Sequence, residues 1–522
     1  MKQKFSWQKS IRLFFAFLSI IAITFIFIDL WKLVSPAFMR LILFFQFVPS
    51  ATSLFSQTSV YFIGFIVAII LTFFLGRIYC SFLCPLGVLQ DVISRLSAIF
   101  KIRKKKNFVF HRPQSVFRYS VLTITIISLL TGSMLLIDLL DPYSNYGRIS
   151  ANLFRPVMIG INNLLSQILW SLKAGLIPKV TYALPNMVAL VFPLVFLLFV
   201  MIMAAFRGRF YCNVVCPVGT FLGLISKFSL FKIRIDKSKC SLCGSCSKVC
   251  KAECINLKNQ AIDMSRCVGC MNCIDSCSES GINYYRNKLV NSKTDEKRRM
   301  AIMALLSSAG GILAMSPRHR AMGEHRYKAG EVPVKKNHPC SPPGSKSISH
   351  FTTYCTACHL CVSACPTQVL QPSLFHYGIE GMLQPMLDPQ INFCNYDCTI
   401  CSEVCPSGAI LLLTKEQKHK TQVGRVHFIK QSCVVFTDLK DCGSCSEHCP
   451  TKAVQMVSWK HGLKIPEINN EICVGCNACE YACPTKPYKA IYVDGNSIHQ
   501  LAKQPEKEVT NEGFNPDEDF PF

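Results

Sequence analysis

The sequence predicts a multi-domain membrane protein, in which a four-helix transmembrane domain precedes small α+β modules built around clustered cysteines. Half of the 522 residues are hydrophobic, the mean hydropathy is +0.30, and 30 residues are cysteine. A chain of this length forms several domains rather than one core. A secreted disulfide scaffold would be short and cysteine-dense throughout, so the tight clusters favour metal ligation.

Four uncharged apolar runs are long enough, or nearly so, to cross a bilayer. We expect membrane spans at residues 13–28, 60–76, 119–137 and 187–206. Buried helices of a soluble protein are the alternative for any single run, but four runs with basic flanks favour a membrane. No small-residue cleavage site follows the first run, which argues against a cleaved signal.

The distribution of basic residues predicts the orientation of these spans. The N-terminus, the loop after the second span and the segment after the fourth span are rich in lysine and arginine, whereas the other two loops are poorer. The positive-inside rule places the three basic segments on the cytoplasmic side. The formal net charge of +25 is then mainly a topology signal, and no nucleic-acid partner is expected.

Two of the spans end in nearly the same phrase, GRIYCSFLCPLG at residues 76–87 and GRFYCNVVCPVG at residues 208–219. Cysteines four residues apart share one face of a helix. Arg77 and Arg209 are expected at the headgroup boundary, with their charged heads in water. The cysteines could be redox-active thiols, ligands that converge on iron, or packed helix-end residues. The candidate catalytic residues are Cys80, Cys84, Cys212 and Cys216.

Residues 231–290 contain two runs of the form C-x2-C-x2-C-x3-C, which predict a bacterial-ferredoxin-like module with two [4Fe–4S] clusters. Zinc sites instead use two pairs of cysteines separated by a longer gap. The fourth cysteine of such a run normally ligates the other cluster, so we expect Cys277 to complete the first and Cys250 the second. Lys251 stands where proline commonly follows, and Cys254 has no assigned role. The predicted ligands are Cys240, Cys243, Cys246, Cys250, Cys267, Cys270, Cys273 and Cys277.

Residues 350–500 contain four further cysteine motifs and predict a four-cluster module, which brings the total to six [4Fe–4S] clusters. The outer two motifs are regular and the inner two irregular, which favours nested pairing, first with fourth and second with third. Pairing in sequence order is the alternative. His359 completes a CxxCH haem-attachment string, but a haem there would orphan two cysteines of the run. The predicted ligands are Cys355, Cys358, Cys361, Cys365, Cys394, Cys398, Cys401, Cys405, Cys433, Cys442, Cys445, Cys449, Cys473, Cys476, Cys479 and Cys483.

The segment between the modules, residues 291–349, contains Arg298 and Arg299 before an uncharged apolar stretch. It resembles a twin-arginine export signal, and we expect an uncleaved anchor and linker that place the four-cluster module in the periplasm. The alternative is an amphipathic linker, with everything left in the cytoplasm. Residues 501–522 form an acidic tail, and Cys340, like Cys254, has no assigned role.

The order of these motifs resembles two families. Residues 1–290, with four spans, two CxxxCP phrases and a two-cluster module, are similar to the NapH family of membrane ferredoxin-type proteins, which serve periplasmic nitrate reductase. The remainder, with its arginine pair, PPGS at residues 342–345 and four cysteine motifs, is similar to the NapG family. Taken together, the resemblance indicates a NapH–NapG-like fusion within the broader NapH/MauN-type 4Fe-4S membrane proteins.

This resemblance implies a membrane-bound electron-transfer protein, a candidate component of a quinol dehydrogenase, that passes electrons from quinol to a periplasmic reductase. Its partners would be the quinone pool and a redox protein. It would be located in the bacterial inner membrane, which it would cross several times. Residues 1–230 would form the membrane domain. The N-terminus and the first module would face the cytoplasm. Related proteins serve methylamine dehydrogenase maturation, so the alternative is a redox assembly or maturation factor for a periplasmic or copper/quinoprotein oxidoreductase.

Overall fold

The computed structural model describes residues 7–53, 62–100, 108–171, 177–182, 187–286, 336–486 and 488–504. A helical half is followed by two cysteine-rich modules that contact opposite ends of its first helix. Arg298, Arg299 and nearly all of the acidic tail lie outside the described residues, so the expected export signal has no structural counterpart here.

The helical half consists of α-helices joined by short turns. Its helices are α1 Trp7–Ile28, α2 Pro36–Phe44, α3 Phe47–Thr52, α4 Phe62–Leu75, α5 Tyr79–Phe82, α6 Pro85–Ile99, α7 Ser115–Leu130, α8 Leu135–Leu140, α9 Pro142–Ile149, α10 Arg155–Ser171, α11 Met187–Arg207 and α12 Pro217–Ser226. Two π-helical turns, Ser150–Phe154 and Tyr211–Val215, interrupt this series.

Two helices are long and apolar enough to cross a membrane by length and composition, namely α1 and residues Ala189–Arg207 of α11. The other two expected spans appear as the shorter apolar helices α4 and α7. Both long helices expose large apolar side chains, such as Phe17 at 66% and Val195 at 59%. Exposed apolar faces of this kind mark contact with lipid or another protein.

Contacts along helix α1 show where other elements lie along the length of the helical half. Arg12 contacts Asp91 of α6, Ser19 Oγ donates to the carbonyl of Leu83, and Phe27 packs against Tyr143 of α9. At 1.5 Å per residue, Ser19 lies about 10 Å from Arg12 and about 12 Å from Phe27 along the helix. The turn that carries Cys84, next to Leu83, therefore lies near the middle of α1.

Each repeated phrase folds as a hairpin that turns back into the helical half, rather than as the end of a span. Gly76 and Gly208 have φ values of +79° and +59° and reverse the chain. A Cβ on Gly208 would approach the carbonyl of Lys251 to 2.6 Å, so this turn requires glycine. Proline at the first turn then starts the returning helices α6 and α12. Cys84 consequently lies beside the middle of α1 and not at the end of an apolar run.

The first module is small and packs on the N-terminal end of α1, where Lys9 forms an ion pair with Asp275. Its strands β1 and β4 pair in antiparallel register, as do β2 and β3. Its elements are β1 Phe231–Ile235, α13 Ser245–Lys248, β2 Ile255–Asn256, β3 Ala261–Ile262, α14 Asn272–Asp275 and β4 Ile282–Arg286.

The second module is built from three antiparallel strand pairs and single helical turns. Its strands are β5 Leu370–Pro372, β6 Pro385–Leu387, β7 Thr421–Phe428, β8 Val454–Ser458, β9 Lys464–Ile468 and β10 Ile491–Leu501, paired β5 with β6, β7 with β10 and β8 with β9. Its short helices are Ile348–Tyr354, Leu360–Ala364, Ile400–Val404, Lys415–His419, Val434–Thr437, Ser444–Glu447 and Ala478–Ala482, with 3-10 turns at Lys430–Ser432 and Lys460–Gly462.

Candidate functional site

The cysteines of the first module form two sets of four. Three consecutive cysteines of one run lie within electrostatic range of the fourth cysteine of the other run, as the ferredoxin exchange predicts. Set A is Cys240, Cys243, Cys246 and Cys277, and set B is Cys267, Cys270, Cys273 and Cys250. The extra thiol Cys254 lies 3.6 Å from Cys250 and is fully buried beside set B.

The second module pairs its motifs in sequence order, and the nested pairing is wrong. Its four sets are set C, Cys355, Cys358, Cys361 and Cys405; set D, Cys394, Cys398, Cys401 and Cys365; set E, Cys473, Cys476, Cys479 and Cys449; and set F, Cys433, Cys442, Cys445 and Cys483. Each pair of sets therefore combines one regular and one irregular motif. A longer first gap changes only the spacing of the first cysteine in a run, so the fourth cysteine can still be exchanged with the neighbouring set.

A cavity at set F tests whether these cysteines suit an iron–sulfur cluster. All four cysteines of the set line one small cavity, together with apolar residues that include Phe428, Val434 and Ile491. Cys433 reaches this cavity although eight residues separate it from Cys442. Four thiols around an apolar cavity are the donor set that a [4Fe–4S] cluster requires.

No group of three or more His, Cys, Asp or Glu residues in the described part of the chain is arranged to hold a single metal ion. The cysteines of a ferredoxin set surround a cluster of several irons and not one ion. Sets A to F are therefore not expected to be arranged around a single ion.

His359 joins the second module to the helical half and is not placed as a haem ligand. Its Nδ1 accepts a hydrogen bond from Asn152 at 2.9 Å, and its Nε2 lies 2.9 Å from the carbonyl of Leu383. Burial, reinforced by the positive charge of Arg148, lowers the pKa of His359 to about 3. The neutral ring therefore uses both nitrogens in protein contacts.

The four cysteines of the repeated phrases come together, which the sequence left open. They are between 2% and 4% exposed, and each lies within electrostatic range of the others. All four are free thiols in the structure. We call Cys80, Cys84, Cys212 and Cys216 the central thiols.

A reciprocal exchange of hydrogen bonds holds the two phrases together. Arg77 donates to the carbonyl of Cys212 at 3.0 Å, and Arg209 donates to the carbonyl of Cys80 at 2.7 Å. The two arginines are 1% and 0% exposed, so the expected placement at the headgroup boundary is wrong. Their planar guanidinium groups find backbone acceptors in the facing copy instead of water.

Glycines make this close approach possible. A Cβ on Gly87 would meet the carbonyl of Cys80 at 2.4 Å and Arg209 at 2.5 Å. A Cβ on Gly219 would meet the carbonyl of Cys212 at 2.2 Å and Arg77 at 2.8 Å. The two copies are therefore related by approximate two-fold symmetry, and the repeated glycine serves packing around the central thiols.

Asp91 is a functional residue that sequence reasoning missed. Its carboxylate accepts two hydrogen bonds from Arg209, at 2.9 and 2.8 Å, and lies 3.0 Å from Arg12 and 3.3 Å from Lys251. Lys251, which replaces the usual proline after Cys250, thus anchors set B to the helical half. The corresponding position in the second copy is Gly223, so a comparison of the two phrases could have revealed the difference.

Set B sits directly on the repeated phrases. Ser81 Oγ donates to the carbonyl of Val268 at 2.6 Å, and Asn213 donates to the carbonyl of Ala252 at 3.2 Å. Arg77 also donates to the carbonyl of Ser265 at 2.9 Å. Backbone atoms beside the cysteines of set B are therefore in contact with both copies.

A buried polar region connects the central thiols with set C. Tyr143 interacts electrostatically with Cys358, Cys405 and Tyr79, and Tyr79 interacts in the same way with Cys84. Several buried polar atoms here have no hydrogen-bond partner among the described residues. They are Asp138 Oδ1, Asp141 Oδ1, Tyr143 Oη, Arg148 Nη1 and Ser150 Oγ.

Three known protein families match four parts of the chain. A family described as "4Fe-4S binding domain" matches residues 59–107 and again residues 189–236, which contain the two repeated phrases. Two families described as "4Fe-4S dicluster domain" match residues 354–410 and 440–486. The first dicluster match contains the first two motifs, and the second contains the fourth motif with Cys442, Cys445 and Cys449 of the third, in agreement with pairing in sequence order.

Three curated relatives, each 25% to 27% identical to this chain, illustrate the similarity. "Ferredoxin-type protein NapF" of Escherichia coli is 27% identical over 30% of this chain and 88% of its own length. "Ferredoxin-type protein NapG" of the same organism is 26% identical over 37% of this chain and 84% of its own length. "Methylamine utilization ferredoxin-type protein MauN" of Methylobacillus flagellatus is 25% identical over 34% of this chain and 48% of its own length.

No solved structure matches the chain. Iron–sulfur modules recur across the chain, and the relatives carry ferredoxin-type names. The chain thus contains ferredoxin-type 4Fe-4S modules and is similar to the NapF, NapG and MauN ferredoxin-type proteins.

Proposed function

We propose that this protein is a quinol-oxidising component of the bacterial inner membrane that passes electrons outward to a periplasmic reductase. The observation that carries the proposal is that the cysteine sets follow one another in a single file, each in contact with the next directly or through the central thiols. Set B packs on the central thiols, Tyr143 connects these thiols with set C, and Cys361 and Cys401 bring set C beside set D. Cys394 then donates its backbone N–H to the carbonyl of Cys476 in set E at 3.0 Å.

Sets A to F would hold six [4Fe–4S] clusters, which supply one-electron transfer when bound. The chain's own residues fix the distances within the file, because sets A and B, C and D, and E and F exchange their fourth cysteines, and sets D and E share a backbone hydrogen bond. Set F, at the end of the file, would deliver electrons to the soluble acceptor.

The two-sided arrangement is supported by the contacts along α1. Lys9, at the start of this helix, pairs with the first module, and Phe27, near its end, packs beside Gly147, which also adjoins the carbonyl of Cys358 in the second module. About 27 Å of helix separates these two residues, which is close to the thickness of a bilayer core. In the proposed topology α4 and α7 complete four spans, the first module is cytoplasmic and the second is periplasmic.

The domain order supports a NapH–NapG-like fusion. The NapG relative from Escherichia coli aligns with 201 residues of this chain, whereas the repeated "4Fe-4S binding domain" lies within residues 59–236. A fusion would make the membrane part and its periplasmic partner one polypeptide.

The second candidate function is redox maturation of another oxidoreductase. The likeness to MauN, named for methylamine utilization, favours it. A maturation factor would need reducing equivalents at set F but no continuous quinol turnover.

Reduction by quinol separates the two candidates. Purified protein in anaerobic liposomes would receive reduced ubiquinone or menaquinone analogues, and electron paramagnetic resonance (EPR) spectra would record which clusters become reduced. Our proposal requires reduction through set F and multiple turnovers when a soluble oxidant is added. Reduction by dithionite but not by any quinol would overturn it.

The same assay tests the central thiols. Serine variants of the Cys80–Cys84 and Cys212–Cys216 pairs should lose quinol oxidation while sets A to F keep their EPR signals. Cys340→Ser is the control, because this buried thiol belongs to no set. Unchanged quinol oxidation in the pair variants would return the central thiols to a packing role.

A further inference from the structure

The repeated phrases pose a problem of ligand number. Each match to the "4Fe-4S binding domain" contains only two cysteines, Cys80 and Cys84 in one and Cys212 and Cys216 in the other. A [4Fe–4S] cluster normally takes four thiolates. We propose that the two copies together hold a seventh [4Fe–4S] cluster, ligated by the central thiols between set B and set C.

Three of the four central thiols already have an N–H donor directed at them. Gln90 Nε2 lies 3.2 Å from Cys212 Sγ, and the backbone nitrogen of Gly219 lies 3.3 Å from Cys216 Sγ. Arg77 Nη2 lies 3.9 Å from Cys80 Sγ. Hydrogen bonds to the sulfurs stabilise thiolate ligands and tune the potential of a cluster.

The charge of Arg77 points independently to an anionic occupant. Arg77 is 1% exposed, and within the described parts of the chain it forms no ion pair with a carboxylate. Its counterpart Arg209 has Asp91 as a partner. A buried cation without a counter-charge is costly. Four thiolates around a cluster would supply that counter-charge beside Arg77, at the point where its Nη2 faces Cys80.

The position of the central thiols gives the cluster its role. Arg12, level with Asp91 and set B, and Phe27, level with set C, are about 22 Å apart along α1, and the central thiols lie between them. A cluster there divides this interval into two shorter electron-transfer steps. Only that role rests on the proposed function, because the ligation itself requires no quinol.

Iron and sulfide analysis of the full-length, anaerobically purified protein tests the proposal. We expect about 28 irons per chain, against about 24 if only sets A to F are filled. The Cys84→Ser/Cys216→Ser variant should lose about four irons and one Mössbauer component, whereas Cys340→Ser should lose none. A wild-type value near 24 that the double variant leaves unchanged, or zinc at the central thiols, would overturn the proposal.

A second variant keeps all four ligands, so its result cannot be explained by misfolding after the loss of a cysteine. Gln90→Leu gives the first copy the residue that the second copy has at Leu222, and it removes the N–H donor to Cys212. The iron content should stay the same, and the midpoint potential of one cluster should fall, because a hydrogen bond that stabilises the reduced, more negative state is lost. Identical potentials for all clusters in Gln90→Leu and the wild type would contradict the assignment. Failure of quinol oxidation alone, with 28 irons present, would count against the proposed function and not against the seventh cluster.

Discussion

Asn152 donates a hydrogen bond of 2.9 Å to Nδ1 of His359, and this contact joins the helical half to set C of the second module. Both residues are buried, at 4% and 2% exposure. Asn152→Ala leaves Nδ1 unpaired inside the interface, which should cost about 1–3 kcal/mol. We expect faster amide hydrogen exchange at Leu360–Ala364 with no loss of iron.

The control for this prediction is Asn163→Ala. Asn163 donates a hydrogen bond to the backbone carbonyl of Val180, and both residues lie in the helical half. It should leave exchange at Leu360–Ala364 unchanged. Equal exchange in both variants would show that the Asn152 contact does not hold the modules together.

Asp91→Asn should be the most destabilising single polar substitution in the helical half. The variant leaves Arg12, Arg209 and Lys251 without their shared carboxylate, all three being buried. Breaking a buried pair on one side costs about 3–5 kcal/mol. Denaturant unfolding in detergent measures the loss. Asp275→Asn, which removes the more exposed ion pair with Lys9, should cost under about 1 kcal/mol; similar costs for both would refute the central role of Asp91.

Cys405→Ser distinguishes pairing in sequence order from nested pairing. In the structure Cys405 completes set C, so the variant should expose Cys355, Cys358 and Cys361 to alkylation. Nested pairing instead releases Cys433, Cys442 and Cys445. Mass spectrometry of alkylated peptides identifies which three thiols react, and Cys483→Ser should give the complementary result through set F.

Reporter fusions test on which side of the membrane the second module lies. Reporters active only in the periplasm or only in the cytoplasm would follow residue 286 in one fusion and residue 522 in the other. We expect cytoplasmic activity from the first and periplasmic activity from the second. Replacing Arg298 and Arg299 by lysine should abolish the periplasmic signal. Cytoplasmic activity from both fusions would remove the periplasmic reductase from the proposed function.

His499 should make the second module sensitive to acid. Burial lowers the pKa of His499 to about 4, whereas an unfolded histidine titrates near 6.5. Between these values the unfolded state binds more protons, so stability should fall as the pH drops from about 6.5 to about 4. His499→Gln, which keeps a polar partner for Ser341, should flatten the dependence of the melting temperature on pH. The exposed His461→Gln should not, and an unaltered slope in His499→Gln would refute the prediction.

The cysteine spacing alone led to the ferredoxin-type modules, because short gaps between ligands encode cluster binding locally. The exchange of Cys250 and Cys277 was likewise predictable, since it follows from the geometry of a single repeated run. Pairing among the four later motifs was not, because regularity of spacing carries no information about which motifs are neighbours in space.

The environment of the repeated phrases could not be obtained from hydropathy. An arginine after an apolar run ordinarily lies in the headgroup region, and nothing local in the sequence shows that Arg77 and Arg209 find acceptors in each other's phrase. The partners of Asp91 are equally remote, lying 79, 118 and 160 residues away. Only the assembled fold brings these three cations to one carboxylate.

The burial of Asp91 imposes an order on biogenesis. Its three cations come from the first helix, the second phrase and the residue after Cys250. The buried ion cluster is therefore complete only once the chain has been synthesised through Lys251, so the helical half and the start of the first module must assemble together.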